Sequence, residues 1–477
     1  MLFNTLPFLI FFPIVTLLYY VAPQRWRWVL LLAASCFFYM WFKPVYILIL
    51  LTTIVIDYVA ARMIDRYRNQ RGKARAWLVA SIVSTLTVLF VFKYQGLFHE
   101  THLILPIGLS FHTFQSLSYV IEVYRGRQQP ERHFGIYSLY VMFYPQLVTG
   151  PIERPGNLLR QLRDDHEGCK DHSLWVRDFA QGVQLILFGL FAKMVVADNL
   201  AVYVDQIYAS PADFGSGAIG LGLVFYSFQI YCDFFGYSTI ALGCAKAMGF
   251  DLMDNFRTPY LSTSIGEFWH RWHISLSSWF RDYVYIPLGG SRVRVSRWMM
   301  NIMVVFLLSG LWHGADWTFV AWGGLHGVLL VAEGLLKRVK RARSKSGIVN
   351  SEVVNSDGAA AVNSRFTMHN SLKVIGVFVV VTLLWSVFRA ESFVQLKELF
   401  AAVVSNLHVA DMPEVDMRTV LMLVLFVVAD VLLRNTRFDR WCIAQRPVVQ
   451  WALCFVLAFC IVVFASVEVF PFIYFQF

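Results

Sequence analysis

The sequence predicts an all-α, polytopic membrane protein, and three observations carry that prediction. Of its 477 residues, 57% are hydrophobic and only 15% are charged, where a soluble domain carries about 25% charged residues. The mean hydropathy is +0.56. Apolar segments recur from Leu2 to Phe477, so a single intramembrane domain over 1–477 is expected, rather than the three or so soluble domains that length alone would suggest.

The first apolar segment, 2–22, has neither a basic stretch before it nor a small-residue cleavage site after it. It therefore reads as a retained helix and not as a signal peptide, and a span needs about 20 apolar residues. Further apolar segments follow at 28–42, 45–61, 77–92, 103–123, 137–148, 179–196, 219–235, 299–311, 319–332, 374–388, 420–433 and 449–473. Several are too short for a straight crossing, which suits tilted, re-entrant or protein-buried pieces. The expectation is about eleven crossings with some half-helices. Basic loops at 62–75, 125–132 and 337–345 face the cytoplasm by the positive-inside rule. Three crossings precede the first of them, which places the N-terminus outside. From 337 to 372 the chain turns basic and then polar and poor in aromatics. That reads as a flexible cytoplasmic loop whose start suits anionic headgroups.

The net charge of +10 is accounted for by these loops, so membrane lipids and not nucleic acid are the expected partners. The seven cysteines form no CxxC pair and no zinc spacing, so neither a disulfide framework nor a metal is expected. No internal repeat is visible, which argues against an inverted-repeat transporter.

Two segments carry ionisable residues where hydrocarbon is expected. His313 follows the apolar run 299–308 inside SGLWHG (309–314), and His326 lies thirteen residues further on in GGLHG (323–327). An ionisable side chain inside a membrane segment is expensive and marks a functional site by default. Upstream, the segment 265–294 interleaves charges and aromatics. Trp269, Trp272, Leu276 and Trp279 fall at helical spacing, with Arg271 and His273 beside them, and Pro287, Gly289 and Gly290 end the element. Such a helix either lies at the interface or folds inward and offers His273 and Arg271 to a polar cavity. No Ser-His-Asp elbow, phosphate loop or HExxH motif is present. A buried neutral histidine suits the removal of a hydroxyl proton as that oxygen attacks a thioester carbonyl, with a second polar group stabilising the oxyanion. A proton relay in a transporter or flippase would use the same residue type, and a scaffold for a periplasmic enzyme would need neither histidine.

The stretches FWHRWHISLSSWFRDYVYIPLGG (268–290) and SGLWHGADWTF (309–319) resemble the membrane-bound O-acyltransferase superfamily, and within it the bacterial alginate O-acetylation branch. LPIGLSFHTFQSLSY (105–119), FYPQLVTGPIE (143–153) and KMVVADN (193–199) extend the resemblance over nearly the whole chain. It implies a helical fold with a central tunnel and transfer of an acyl group, acetyl above all, from a cytoplasmic thioester across the bacterial inner membrane to an exported polysaccharide. D-alanyl transfer to teichoic acid is the sister activity. His313 matches the family's near-invariant histidine and His273 its second polar position. His326 matches a further family histidine, and Trp312, Arg271 and Asp233 become candidate tunnel or substrate residues. No bound cofactor is implied; acetyl-CoA or a protein-bound thioester would be the donor. A separate periplasmic subunit of the SGNH-hydrolase type is implied as partner, along with the polysaccharide synthesis and export machinery. In YCDFFGYST (231–239) this chain has Phe235 and Thr239 where the family usually has Ser and Asp.

Overall fold

The computed structural model describes residues 1–94, 106, 108–148, 150–168, 171, 174–345, 368–407, 411–466, 468 and 470–473. Among these residues the chain is helical without a strand. The N-terminal part comprises α1 (Leu6–Val21), α2 (Gln24–Met40), α3 (Ile47–Arg66), α4 (Arg71–Tyr94) and α5 (Leu109–Tyr124). The short helices α6 (Phe134–Met142), α7 (Tyr144–Leu147) and α8 (Leu158–His166) come next. The centre holds α9 (Trp175–Leu190), a π-helical turn Phe191–Ala197, α10 (Asp198–Ala209), the long α11 (Ser216–Ala247), α12 (Ile265–Arg271) and α13 (Ile274–Phe280). Helices α14 (Val295–His313) and α15 (Trp317–Lys345) form a hairpin, and α16 (Met368–Arg389), α17 (Phe393–Ser405), α18 (Met417–Leu432), α19 (Phe438–Ile443) and α20 (Pro447–Phe464) complete the chain.

Eight helical stretches among the described residues are long and apolar enough to cross a membrane, with the shorter apolar α1 beside them. The protein is therefore an integral multi-pass membrane protein. The difference from eleven lies in the short apolar segments. The segment 137–148 breaks at Phe143 into α6 and α7, with Pro145 in the first turn of α7, where its missing N–H costs nothing. The segment 420–433 belongs to the sixteen-residue α18 and its C-cap Leu433. Most of the loop expected at 337–372 (346–367) lies outside the described residues, and α15 runs helically as far as Lys345.

The core is organised around α9 and α11. Gly182 and Gly189 of α9 face Gly243 and Gly236 of α11, and a Cβ on Gly189 would stand 2.7 Å from the Gly236 carbonyl. Only small residues let two backbones approach so closely in a membrane. Ion pairs gather at one end of the bundle. Arg163 meets Glu131 at 2.7 Å, Lys246 meets Asp178 at 2.9 Å and Arg437 meets Asp254 at 3.4 Å. The Gln161 amide donates to the Asp251 carbonyl at 2.8 Å. The loops 125–133, 247–254 and 433–446 therefore share the same end.

The segment 265–294, read as a helix ended by Pro287, Gly289 and Gly290, is instead interrupted earlier. α12 stops at Arg271, and His273 precedes α13 with φ 44° and ψ 54°. The stripe Trp269, Trp272, Leu276 and Trp279 is still buried, so the segment folds inward and carries His273 with it, while Arg271 pairs with Glu267 on its own helix. The break follows from pairing with a distant segment. The Arg257 N–H donates to the Arg271 carbonyl at 3.0 Å and the Ile274 N–H to the Asn255 carbonyl at 2.9 Å.

Candidate active site

His273 occupies the left-handed region, which costs a non-glycine residue about 1–3 kcal/mol and is retained where the surroundings enforce it. Asn255 is the enforcing residue. Beyond the backbone bond to Ile274, its side-chain oxygen accepts from the Ser275 N–H at 3.3 Å, and its amide donates to the Ser238 hydroxyl of α11 at 3.0 Å. The turn is thereby tied to the central helix. The imidazole is buried, with Phe234 edge-on at 4.6 Å, Trp312 at 6.1 Å and Phe111 at 6.3 Å between ring centroids.

His313 is the last residue of α14, followed by Gly314 in extended backbone. A helix end leaves carbonyls without intrahelical partners. Here α4 supplies the donors: the Lys93 ammonium donates to the Trp312 carbonyl and, at 2.9 Å, to the His313 carbonyl, while the Tyr94 hydroxyl reaches the Leu311 carbonyl at 2.5 Å. The His313 ring lies 4.9 Å from Trp312, 5.2 Å from Trp322 and 5.3 Å from Phe388. Trp312 thus packs against both histidines.

His326 extends the cluster. Its Nδ1 accepts from the Trp269 indole N–H at 3.2 Å, and its ring lies 5.0 Å from Trp322. Around these packed rings several buried polar atoms have no hydrogen-bond partner among the described residues. They are both ring nitrogens of His273, Nε2 of His326 and the indole N–H groups of Trp312, Trp322 and Trp385. Buried polar groups are satisfied in the great majority of cases, which sets these six atoms apart from an ordinary packed core.

Arg271 and Asp233 are engaged elsewhere. Arg271 pairs with Glu267 at 2.7 Å on its own helix. Asp233 meets the Lys193 ammonium at 2.5 Å and accepts from the Ile473 N–H at 2.7 Å, and Lys193 also holds Asp198 at 2.6 Å. Asp233 is a buried ion-pair residue whose chain neighbour, Phe234, is what reaches His273. Lys93, Asn255 and Trp322 went unassigned by the sequence reading. Only Lys93 carries a visible signal, a lone cation at the end of a long apolar run.

Residues 133–351, which contain all three histidine-bearing segments, match the membrane-bound O-acyltransferase family. Proteins named as O-acetylases align well beyond that stretch, so the chain belongs to this family and is an O-acyltransferase. A probable alginate O-acetylase of Azotobacter vinelandii is 34% identical over 446 residues, covering 88% of this chain and 83% of that protein. The peptidoglycan O-acetyltransferase of Helicobacter pylori is 33% identical over 438 residues, 82% of this chain and 77% of that protein. The teichoic acid D-alanyltransferase of Streptococcus thermophilus is 30% identical over 323 residues, 63% of this chain and 75% of that protein.

Proposed function

We propose that this O-acyltransferase takes an acetyl group from a cytoplasmic thioester and moves it through a tunnel across the bacterial inner membrane for O-acetylation of an exported polysaccharide of the alginate type. His313 is the general base and His273 its partner. The neutral imidazole of His313 removes the proton from the attacking hydroxyl. The hydroxyl oxygen bonds to the thioester carbonyl carbon, the tetrahedral oxyanion collapses, the C–S bond breaks, and the proton passes to the leaving sulfur. An N–H of His273 stabilises the oxyanion. Trp312 and His326 line the path.

The donor is acetyl-CoA or a protein-bound acetyl thioester, and the acceptor hydroxyl belongs to the sugar or to a periplasmic subunit of the SGNH-hydrolase type that completes the transfer. That subunit and the polysaccharide synthesis and export machinery are the partners. The O-acetylase relatives cover more of the chain than the D-alanyltransferases, which favours acetyl over D-alanyl.

The observation that carries this reading is the contact of Trp312 with both histidines among unpartnered buried polar atoms. The experiment is the acetyl ester content of the exported polysaccharide in cells carrying His313→Ala, with the membrane level of the protein measured alongside. Loss of esters at normal protein level is expected. Retained acetylation overturns His313 as base.

A further inference from the structure

Asp57 is an acid in hydrocarbon that the site above does not use. It lies midway along α3, one of the helices long and apolar enough to cross the membrane. The helix end at Arg66 lies nine residues further on, about 14 Å at a rise of about 1.5 Å per residue. The side chain is fully buried, and among the described residues no lysine, arginine or histidine pairs with it. A charge taken out of water without a partner is costly, and an ionisable residue at that depth marks a functional site by default.

What surrounds the carboxylate is oxygen. From α4, the Ser81 hydroxyl donates to it at 2.6 Å and the Thr85 hydroxyl at 3.1 Å. From α5 the Ser116 hydroxyl interacts with it, and from α6 Tyr137 interacts with both Asp57 and Ser116. A second observation is independent of charge: Ser116 and Tyr137 are buried, yet neither hydroxyl makes a hydrogen bond of regular geometry. Two buried polar groups directed at the acid therefore lack a partner. The histidine of α5 does not supply one, because His112 is engaged with the Thr53 hydroxyl at 3.2 Å and the Gly108 carbonyl at 3.3 Å.

A carboxylate and four hydroxyls are the donor set of a hard cation. A hydroxyl that gives its one hydrogen to Asp57 keeps lone pairs for an ion. One carboxylate balances one positive charge, whereas a divalent ion would leave a net charge buried in hydrocarbon. We propose that Asp57, Ser81, Thr85, Ser116 and Tyr137 form a binding site for one monovalent alkali cation, which ties α3, α4, α5 and α6 together within the membrane. The helix so tied, α5, also carries Phe111 and Phe114 to Trp312, at 5.4 and 5.6 Å between ring centroids. The cation site does not rest on the acyl-transfer reading above.

The test uses the full-length protein in nanodiscs of phosphatidylcholine, with sodium as the probe. Binding of radioactive sodium is measured, and melting temperatures are compared in sodium chloride and choline chloride at equal ionic strength. The wild-type protein is expected to bind about one sodium ion per chain and to melt at least about 3 °C higher in sodium, since a ligand held only by the folded state stabilises it. Asp57→Asn, which keeps the shape and loses the charge, is expected to bind at least tenfold less sodium and to melt alike in the two salts. Ser116→Ala is expected to weaken sodium binding severalfold while its melting temperature in choline chloride stays that of the wild type. Wild-type protein that binds no sodium and melts alike in both salts overturns the proposal and leaves Asp57 neutralised by a proton. Sodium binding that survives in Asp57→Asn overturns it as well. No readout depends on acetyl transfer, so failure of the cation site and failure of the base assignment remain separate results.

Discussion

Gly310→Ala is a severe change for so small a group. Gly310 lies three residues before His313, where α14 crosses α15. A Cβ at this position would stand 2.3 Å from the Phe319 carbonyl oxygen and 3.0 Å from its carbon. Even the closest favourable C···O contacts are about 3.3 Å, so the hairpin must open by roughly 1 Å. The obstructing atoms are backbone, and no rotamer relieves the clash. Gly323 prevents relief by sliding, since its own Cβ would lie 2.2 Å from the Phe306 carbonyl oxygen. Overpacking of this kind costs typically about 1–3 kcal/mol. The functional loss is larger, because Phe319 packs on Phe388 and Phe388 on His313, and a displacement of about 1 Å can cost about 100-fold in rate. The assay is acetyl transfer per membrane-inserted molecule, together with the melting temperature in detergent. Gly324→Ala is the control, on the same helix with its nearest neighbour the flexible Leu307 Cδ2 at 3.4 Å, and it should behave as wild type. Gly310→Ala at wild-type rate and melting temperature would refute the claim that this crossing sets the position of His313.

Two further predictions concern residues that position the histidines. Lys93→Met removes the ammonium that satisfies the Trp312 and His313 carbonyls; a charged hydrogen bond is worth about 1.5–3 kcal/mol, so transfer should fall between about 10- and 100-fold, with Lys93→Arg recovering part of it. An unchanged rate in Lys93→Met at equal protein level would show that the end of α14 holds itself. Asn255→Ala strips both side-chain bonds from the His273 turn and should lower kcat more than it raises KM. Asn255→Asp should restore kcat, because its carboxylate accepts from Ser275 and also from the Ser238 hydroxyl. Failure of the Asp variant to recover activity would count against a positioning role.

The membrane class was legible because it rests on composition, which no folding detail can alter, and His313 was legible because a charge-capable ring in hydrocarbon needs a reason. The break at His273 was not. FWHRWHISLSSWF contains neither glycine nor proline and keeps helical spacing, so local sequence argues for an unbroken helix. What breaks it is the pairing of 255–257 with 271–274 and the Asn255 bond to Ser275, contacts between segments that periodicity cannot connect. The ion pair of Asp233 was hidden in the same way, because its partner Lys193 lies forty residues earlier on a π-helical turn. Lys93 was hidden for the opposite reason, since a cation closing an apolar segment reads as a boundary and only the fold shows which carbonyls it serves. The histidines proposed to act could therefore be named from the sequence, whereas the residues that hold them are polar partners reached across the bundle. The holding residues are thus the ones whose substitution separates a folded but misaligned enzyme from an unfolded one.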